Sequence, residues 1–409
     1  MKIAIACGGT GGHIFPGLAV ARVLQQRDHE VALYLAGKPG EDLAVADWTG
    51  PVVTVPARGM SSRNAGRLLV AGVYLLRAIW QSRRALRRSA PDALLAMGSY
   101  ASAGPVLAAR WLRIPIVLHE ANVIPGRAIS FLSRRADAVA VSFSDTSKHL
   151  AHRRLVVTGM PVRWTEEQMT NDSLPCEALA KQGRQTPDDR RQTVDHGGQA
   201  FDAPPQLEIG NLGSLAPNVF TLLVMGGSRG AHRLNEIVSQ AIMRLHREGR
   251  KLQVIHLTGL ADEQAVRQAY QRSGVPHAVF GFLRDMPRAY RLSFLAICRS
   301  GASTCAELSL HGVPALLVPY PYAIHRHQTA NADALAADGA ADLCDESLLS
   351  VDWLYNYIVA LMHDEARLAR MRAAALGRAA PNAAAALADL VEQAGRREEE
   401  RSKRPTLNA

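Results

Sequence analysis

Residues Lys2-Ile3-Ala4-Ile5-Ala6-Cys7-Gly8-Gly9-Thr10-Gly11-Gly12-His13 set the reading of everything that follows them. An apolar run of strand length passes straight into glycines, and a helical pattern takes over from Leu18 to Leu24. Glycines at such a turn let the backbone approach a bound group, and the helix behind them offers unpaired N–H groups to an anion. The loop is no Walker A sequence, because the Lys and Ser/Thr of that motif are missing from their places. It also fits a dinucleotide fingerprint poorly. The next apolar run ends in Leu35-Ala36-Gly37-Lys38, without the acidic residue that would hold a ribose. Taken alone, the loop is either a structural turn or a phosphate site.

The rest of the chain repeats the pattern. Lys2–Cys7, Val31–Ala36, Ala93–Met97, Pro115–His119 and Ala138–Phe143 read as buried strands with helical segments between most of them. A second series comprises Thr221–Met225, Gln253–Leu257, Ala278–Phe282, Leu295–Cys298 and Ala315–Pro319. Continuous apolar strands separated by helices form parallel sheets covered on both faces. The fold class is therefore α/β, with two Rossmann-like, doubly wound halves. Two further strand ends, Gly226-Gly227-Ser228-Arg229-Gly230 and Arg299-Ser300-Gly301-Ala302-Ser303-Thr304, again open helices, and Glu307 lies one turn into the second. Ligands of open parallel sheets bind at such C-terminal strand ends. Small-residue turns in both halves point to a diphosphate-bearing ligand in a shared cleft.

Composition narrows the classes. A chain of 409 residues, 48% hydrophobic and 21% charged, is long enough for two or three domains and is not wholly disordered. A net charge of +10 favours anionic partners. Five cysteines without a CxxC pair suggest reduced thiols rather than a disulfide scaffold or a common zinc framework. The run Ile3–Cys7 is too short for a signal-peptide core. The uncharged stretch Ala93–Ala109 falls short of a membrane span and is broken by Gly98 and Gly104-Pro105. A soluble, unexported protein is expected.

The domains expected are 1–164, a polar linker and insertion at 165–216, 217–382, and a C-terminal helix with a disordered charged tail at 383–409. The run after Gly395 reads as a frayed, solvated end.

The motifs resemble one family. Gly8-Gly9-Thr10-Gly11-Gly12-His13 with Phe15-Pro16-Gly17-Leu18-Ala19, Met97-Gly98-Ser99-Tyr100, Leu118-His119-Glu120-Ala121-Asn122 and Gly159-Met160-Pro161-Val162-Arg163 come first. Gly226-Gly227-Ser228-Arg229-Gly230-Ala231, Arg299-Ser300-Gly301-Ala302-Ser303-Thr304-Cys305-Ala306-Glu307 and His327-Gln328-Thr329-Ala330-Asn331-Ala332 follow in order. Over residues 1–380, apart from the insertion, the sequence resembles the MurG-type N-acetylglucosaminyltransferases of peptidoglycan synthesis, which have the GT-B fold. The resemblance implies inverting transfer of N-acetylglucosamine from UDP to the 4-hydroxyl of the muramoyl sugar in undecaprenyl-diphospho-muramoyl-pentapeptide. The first half would take the lipid-linked acceptor and the second the donor.

Carried onto this chain, the resemblance assigns His13 as the base or as an organiser of the acceptor diphosphate. A histidine that merely caps its helix is the alternative. Gly9, Thr10, Tyr100 and His119 join it on the acceptor side, although His119 also reads as a structural histidine. The donor is assigned Thr10, Gly11, Gly12, Asn122, Arg163, Ser228, Leu283, Ala302, Ser303, Thr304, Cys305, Ala306, Glu307 and Gln328. Within that set Glu307 would accept from the ribose hydroxyls, Ser228 and Arg163 would hold the diphosphate, Leu283 would meet the uracil through its backbone, and Gln328 would meet the sugar. No metal or cofactor is expected, since His325-Arg326-His327 lacks a nearby thiolate or carboxylate.

Met160 stands where the family has Asn, and Ser99 where it has Gly. The first would remove a polar group from the hinge side of the cleft, and the second would add a side chain near the acceptor diphosphate.

No acidic residue falls between Asp47 and Asp92, an interval holding Arg58, Arg63, Arg67, Arg77, Arg83, Arg84, Arg87 and Arg88. The apolar helix Leu68–Arg88 within it reads either as a surface for an anionic bilayer or as a core helix with charged ends. An undecaprenyl acceptor favours the bilayer and a peripheral position on the cytoplasmic face of the plasma membrane. A UDP-N-acetylglucosamine 2-epimerase needs no such helix. Nucleic acid is not an expected partner, because only 5% of residues are aromatic and no binding module is present.

Overall fold

The computed structural model describes residues 1–38, 41–57, 65–162, 212–226, 231–323 and 326–403. The insertion expected at 165–216 lies largely outside them. Seven strands, β1 (Lys2–Ala6), β2 (Glu30–Leu35), β3 (Val52–Thr54), β4 (Ala93–Ala96), β5 (Ile116–Glu120), β6 (Ala138–Val141) and β7 (Leu155–Val157), form one sheet in the order 3-2-1-4-5-6-7. The second sheet contains β8 (Phe220–Met225), β9 (Leu252–Leu257), β10 (His277–Phe280), β11 (Leu295–Cys298), β12 (Ala315–Leu317) and β13 (Ala341–Leu343), in the order 10-9-8-11-12-13. Every neighbouring pair is parallel, as in Ile3 opposite both Val31 and Ala93. Strand order reverses between β1 and β4 in one sheet and between β8 and β11 in the other. These are the two switch points where a doubly wound sheet opens a crevice.

Alternate residues of each central strand enter opposite cores. Ile3, Ile5 and Cys7 pack on one face of the first sheet, while Ala4 and Ala6 pack on the other. Leu223 and Met225 likewise oppose Leu222 and Val224 in the second sheet. Burial on both faces is why these strands are apolar without alternation. The short edge strands β3, β7 and β13 gave no such signal, because three-residue runs with partly exposed positions resemble loop.

Helix Gly11–Gln26 lies close on β1. A Cβ on Gly17 would stand 2.5 Å from Cys7 Cβ, so only glycine allows that approach.

The C-terminal helix expected from residue 383 is Ala383–Lys403, which continues past Gly395; residues 404–409 lie outside the described residues. Its Leu387, Ala388, Leu390, Val391 and Ala394 join the core of the first sheet. Arg27 pairs with Asp389 at 2.6 Å and Glu392 at 2.8 Å on the rim of that contact. The chain therefore leaves the second half and returns to close the first. Leu387→Ala should cost about 2–5 kcal/mol, the range for emptying a buried leucine site. Urea unfolding followed by circular dichroism measures it, and a loss below half a kcal/mol would mean that the helix only rests on the surface.

Candidate active site

Both switch points open into one cleft. Thr10 precedes helix Gly11–Gln26 at the end of β1, and Gly301 precedes helix Ala302–Leu310 at the end of β11. A Cβ on Gly12 would come within 4.0 Å of Ser303 Oγ, so the two helix starts face each other across the gap. Unpaired N–H groups and the positive end of each helix dipole thus meet from both sides, an arrangement suited to an anion. Thr10 and Gly12 are exposed, whereas Gly11, Ser303, Thr304, Ala306 and Glu307 are partly exposed. Ala302 and Cys305 point into the second core. Burial pushes the Cys305 thiol up to about 12, which leaves it unreactive.

On the first-half side, His13 Nδ1 and Thr10 Oγ1 are hydrogen-bonded at 3.0 Å. Burial, helped by the Lys38 ammonium, lowers the His13 pKa to about 4, so the ring is neutral at pH 7. His119 is fully enclosed. Its Nε2 lies 3.3 Å from the Gly159 carbonyl oxygen and 3.2 Å from Ser142 Oγ. A carbonyl can only accept, so Nε2 carries the ring proton, and burial holds this imidazole neutral too, at about 4. The structural alternative for His119 is the one its contacts support.

Ser99 contributes more than bulk. Its buried hydroxyl donates to the Gly8 carbonyl and accepts from the Ala101 N–H at 3.0 Å, tying the β1 loop to the β4 loop beside Tyr100. Met160 keeps an acceptor where the family has Asn, because its sulfur takes the Ser142 hydroxyl at 3.5 Å.

On the donor side, Glu307 Oε2 accepts a 2.6 Å hydrogen bond from the Tyr290 hydroxyl. Tyr290 is itself buried and stacked on His311 at 5.0 Å between ring centres. Leu283 is buried in the second core shortly after β10. Gln328 Oε1 accepts from the Tyr320 N–H at 2.8 Å, which fixes the side-chain amide. Arg299, quoted with this motif, is structural: both its terminal nitrogens lie 3.2 Å from the Glu346 carboxylate, and it caps the carbonyls of Val318 and Pro319. Arg163 and Ser228 lie outside the described residues. Among the described residues no group of three or more His, Cys, Asp or Glu side chains could hold a metal ion.

Asn122 sits where the halves join. Its backbone N–H (2.9 Å) and side-chain Nδ2 (3.1 Å) donate to the buried Glu120 carboxylate, which also takes the Gly126 N–H at 2.9 Å. Burial nonetheless raises Glu120 above the ordinary carboxylate value. Across the junction, Asn331 Nδ2 donates to Asn122 Oδ1 and to the Ser300 carbonyl, each at 3.1 Å, while Asn331 Oδ1 accepts from the Val123 N–H at 3.0 Å. The Asn122 amide thus uses its nitrogen on Glu120 in its own half and its oxygen on Asn331 across the junction.

Sequence reading missed Asn331, Tyr290 and Glu41 as site-building residues. Glu41 is buried and accepts from the N–H groups of Gly9 (2.7 Å), Gly37 (2.8 Å) and Lys38 (3.2 Å). Asn331 was quoted within its motif, and only long-range pairing reveals its work.

Two opposed Rossmann-like sheets with anion-receptive turns on a shared cleft define the GT-B class. Two family descriptions match: "Glycosyltransferase family 28 N-terminal domain" over residues 3–141 and "Glycosyltransferase family 28 C-terminal domain" over 221–392. A relative from Geobacter metallireducens is 34% identical over 400 residues, covering 97% of this chain and 100% of its own. One from Methylococcus capsulatus is 36% identical over 396 residues, covering 96% and 99%. Both are named UDP-N-acetylglucosamine--N-acetylmuramyl-(pentapeptide) pyrophosphoryl-undecaprenol N-acetylglucosamine transferase. The crystal structure of Acinetobacter baumannii MurG superposes with a TM-score of 0.72 at 29% identity, covering 96% of this chain and 99% of that one. A UDP-GlcNAc 2-epimerase from Neisseria meningitidis, at 15% identity and a TM-score of 0.65 with 96% and 100% coverage, shares the fold. The chain belongs to glycosyltransferase family 28, and the GT-B architecture expected from the sequence is the one it has.

Asn331→Ala would strand the Val123 N–H and the Ser300 carbonyl in the junction. Each stranded group costs ~1–3 kcal/mol, so a drop of at least about 2 kcal/mol is expected in equilibrium unfolding. An unchanged unfolding midpoint would remove Asn331 as the clasp.

Proposed function

We propose that this chain transfers N-acetylglucosamine from UDP-N-acetylglucosamine to the 4-hydroxyl of the muramoyl sugar in undecaprenyl-diphospho-muramoyl-pentapeptide, with inversion. The observation that carries this is the facing of Gly12 and Ser303 across one cleft, in a chain that aligns from end to end with transferases named for these two substrates.

The chemistry follows from the groups present. The acceptor hydroxyl must lose a proton as it attacks the anomeric carbon, and the UDP leaving group gains charge. If His13 Nδ1–H donates to Thr10 Oγ1, the lone pair on Nε2 is left to take that proton. Burial and Lys38 keep the ring in the neutral form a base needs. The N-terminus of helix Ala302–Leu310, with Ser303 and Thr304, receives the departing diphosphate. Glu307, oriented by Tyr290, accepts from the ribose hydroxyls, and Gln328 meets the sugar. Arg163 and Ser228 remain proposed diphosphate ligands, and Leu283 a proposed uracil contact.

The membrane side of the proposal rests on helix Ala65–Ser89. Its Ala71, Ala78, Ser82 and Leu86 face the core, while Val73, Leu76 and Trp80 are 58%, 68% and 61% exposed. The core reading holds for the buried face, and the exposed apolar face supports the bilayer reading proposed here. Trp111, beside it, carries Arg83 over its ring at 4.1 Å. A cavity of about 1180 Å³ is lined by Arg110, Arg127, Arg134, Arg135, Phe131 and, from the second half, Arg326. None of the described glycine-turn residues lines it, and its arginines suit anionic headgroups. An apolar face bordered by arginines suits peripheral binding to an anionic leaflet. Among the described residues no helix is long and apolar enough to cross a membrane.

Radiolabelled transfer from UDP-N-acetylglucosamine to a short-chain muramoyl-pentapeptide diphosphate tests the reaction. His13→Ala should lower kcat about 100-fold or more, the scale of a lost general base, while leaving donor KM nearly unchanged. Glu307→Ala should raise donor KM about tenfold or more, since hydrogen bonds to a charged group are worth about 1.5–3 kcal/mol. Because the His13 pKa is depressed, the acid limb of kcat/KM should fall near pH 4 and not near 6.5; a limb at 6.5 would detach the base from this buried ring. Replacing Leu76 and Trp80 together with Asp should release the protein from phosphatidylglycerol vesicles, and full retention would return the helix to a purely structural role.

A further inference from the structure

Lys38 occupies a position for which the sequence reading found no use. It lies three residues after the end of β2, and its backbone N–H, with those of Gly37 and Gly9, is held by the buried Glu41 carboxylate. That carboxylate ties the end of β2 to the first glycine turn, so Lys38 is carried on a braced segment. Gly37 takes a φ of +70°, and a Cβ there would stand 2.6 Å from Thr54 Cγ2, which fixes how the chain turns towards the cleft.

The ammonium lies 4.6 Å from the centre of the Tyr100 ring, at the start of the β4 turn. Its charge is also felt at His13. Lys38 therefore faces the space bounded by the β1 turn, the β4 turn and His13. Among the described residues no carboxylate lies within ion-pair distance of this ammonium. Glu41 cannot serve, because it is engaged by three backbone N–H groups. A half-buried cation resting on an aromatic ring beside the anion-receptive β1 turn is a point charge waiting for an anionic group.

We propose that Lys38 binds the diphosphate of the lipid-linked acceptor, with Tyr100 holding the ammonium in place until the substrate arrives. The proposal names a further residue for the acceptor site and rests on the transfer reaction proposed above. A cation adds direct charge to what the helix N-termini offer an anion, and Lys38 is placed against Tyr100 of the β4 turn with its charge acting at His13 of the β1 turn. The arginines of the basin at Arg110 and Arg134 line a separate cavity.

Lys38→Met and Lys38→Arg test this against the wild type, with thermal unfolding as a check that each variant folds. In the transfer assay with a short-chain, water-soluble acceptor, Lys38→Met should raise acceptor KM at least tenfold while donor KM stays within twofold. Lys38→Arg should stay within about threefold of wild type on both. An unchanged acceptor KM in folded Lys38→Met would overturn the proposal, as would an equal rise in both constants, which marks a structural lysine. If Lys38→Met fails to fold, Lys38→Gln takes its place under the same criteria. A second arm does not depend on the reaction: calorimetric binding of geranyl diphosphate to the intact protein. Tenfold weaker binding in Lys38→Met would support the lysine even if the wild type transferred to no muramoyl acceptor, a result that would fell only the reaction. Equal binding in both proteins, or none in the wild type, would overturn the lysine whatever the transfer assay shows.

Discussion

The side-chain amide of Asn331 uses both its ends to hold one half of the molecule against the other. It donates to Asn122 and Ser300 and accepts from Val123 in a largely buried junction. Inside such a junction an unpaired amide is costly, so the three bonds hold together or not at all. Val123 and Phe143 of the first half are packed into the core of the second, which shields the polar contact. The close facing of Gly12 and Ser303 depends on this register. Without it the two helix N-termini would be separate anion sites on separate sheets.

The same economy of buried polar groups recurs around the cleft. Glu120 collects the Asn122 and Gly126 N–H groups, Glu41 collects those of Gly9, Gly37 and Lys38, and Arg299 fills its fork with Glu346 and two strand-end carbonyls. Each stiffens a turn that glycines would otherwise leave loose. The charged groups nearest the chemistry are thus of two kinds. Some are consumed by scaffold bonds, as Arg299 and Glu120 are, and others, such as Lys38 and Glu307, keep partly exposed side chains held by a tyrosine each, Tyr100 and Tyr290. Membership of a motif did not separate the two kinds, and partner geometry did.

Much of the fold was legible. Nine of the ten apolar strand runs are inner strands of two parallel sheets and the tenth, β10, lies at an edge; residues buried on both faces are apolar without alternation. The edge strands β3, β7 and β13 were not legible, since half-exposed three-residue strands carry little pattern. The C-terminal helix was legible as a helix, but not its destination: Leu387, Leu390 and Val391 cover the first sheet, which is built from residues far earlier in the chain. Of the candidate site residues, the glycine turns, His13 and Glu307 were readable as strand-end motifs. Tyr290, which orients Glu307, and Glu41, which braces the first turn, were not, because each acts through a partner far away in sequence.

The sequence by itself determined that there are two βα series, that three of their strand ends are turns fit for anions, and that the motifs resemble one glycosyltransferase family. Local pattern suffices there, because strand burial and turn chemistry are properties of short segments. Only the tertiary structure decided which turns face each other, which histidine is enclosed, that Asn122 spends its amide oxygen on joining the halves, and that helix Ala65–Ser89 keeps one face for the core and leaves another to solvent. Those facts are set by hydrogen bonds and packing between residues tens to hundreds of positions apart, and no local pattern encodes them.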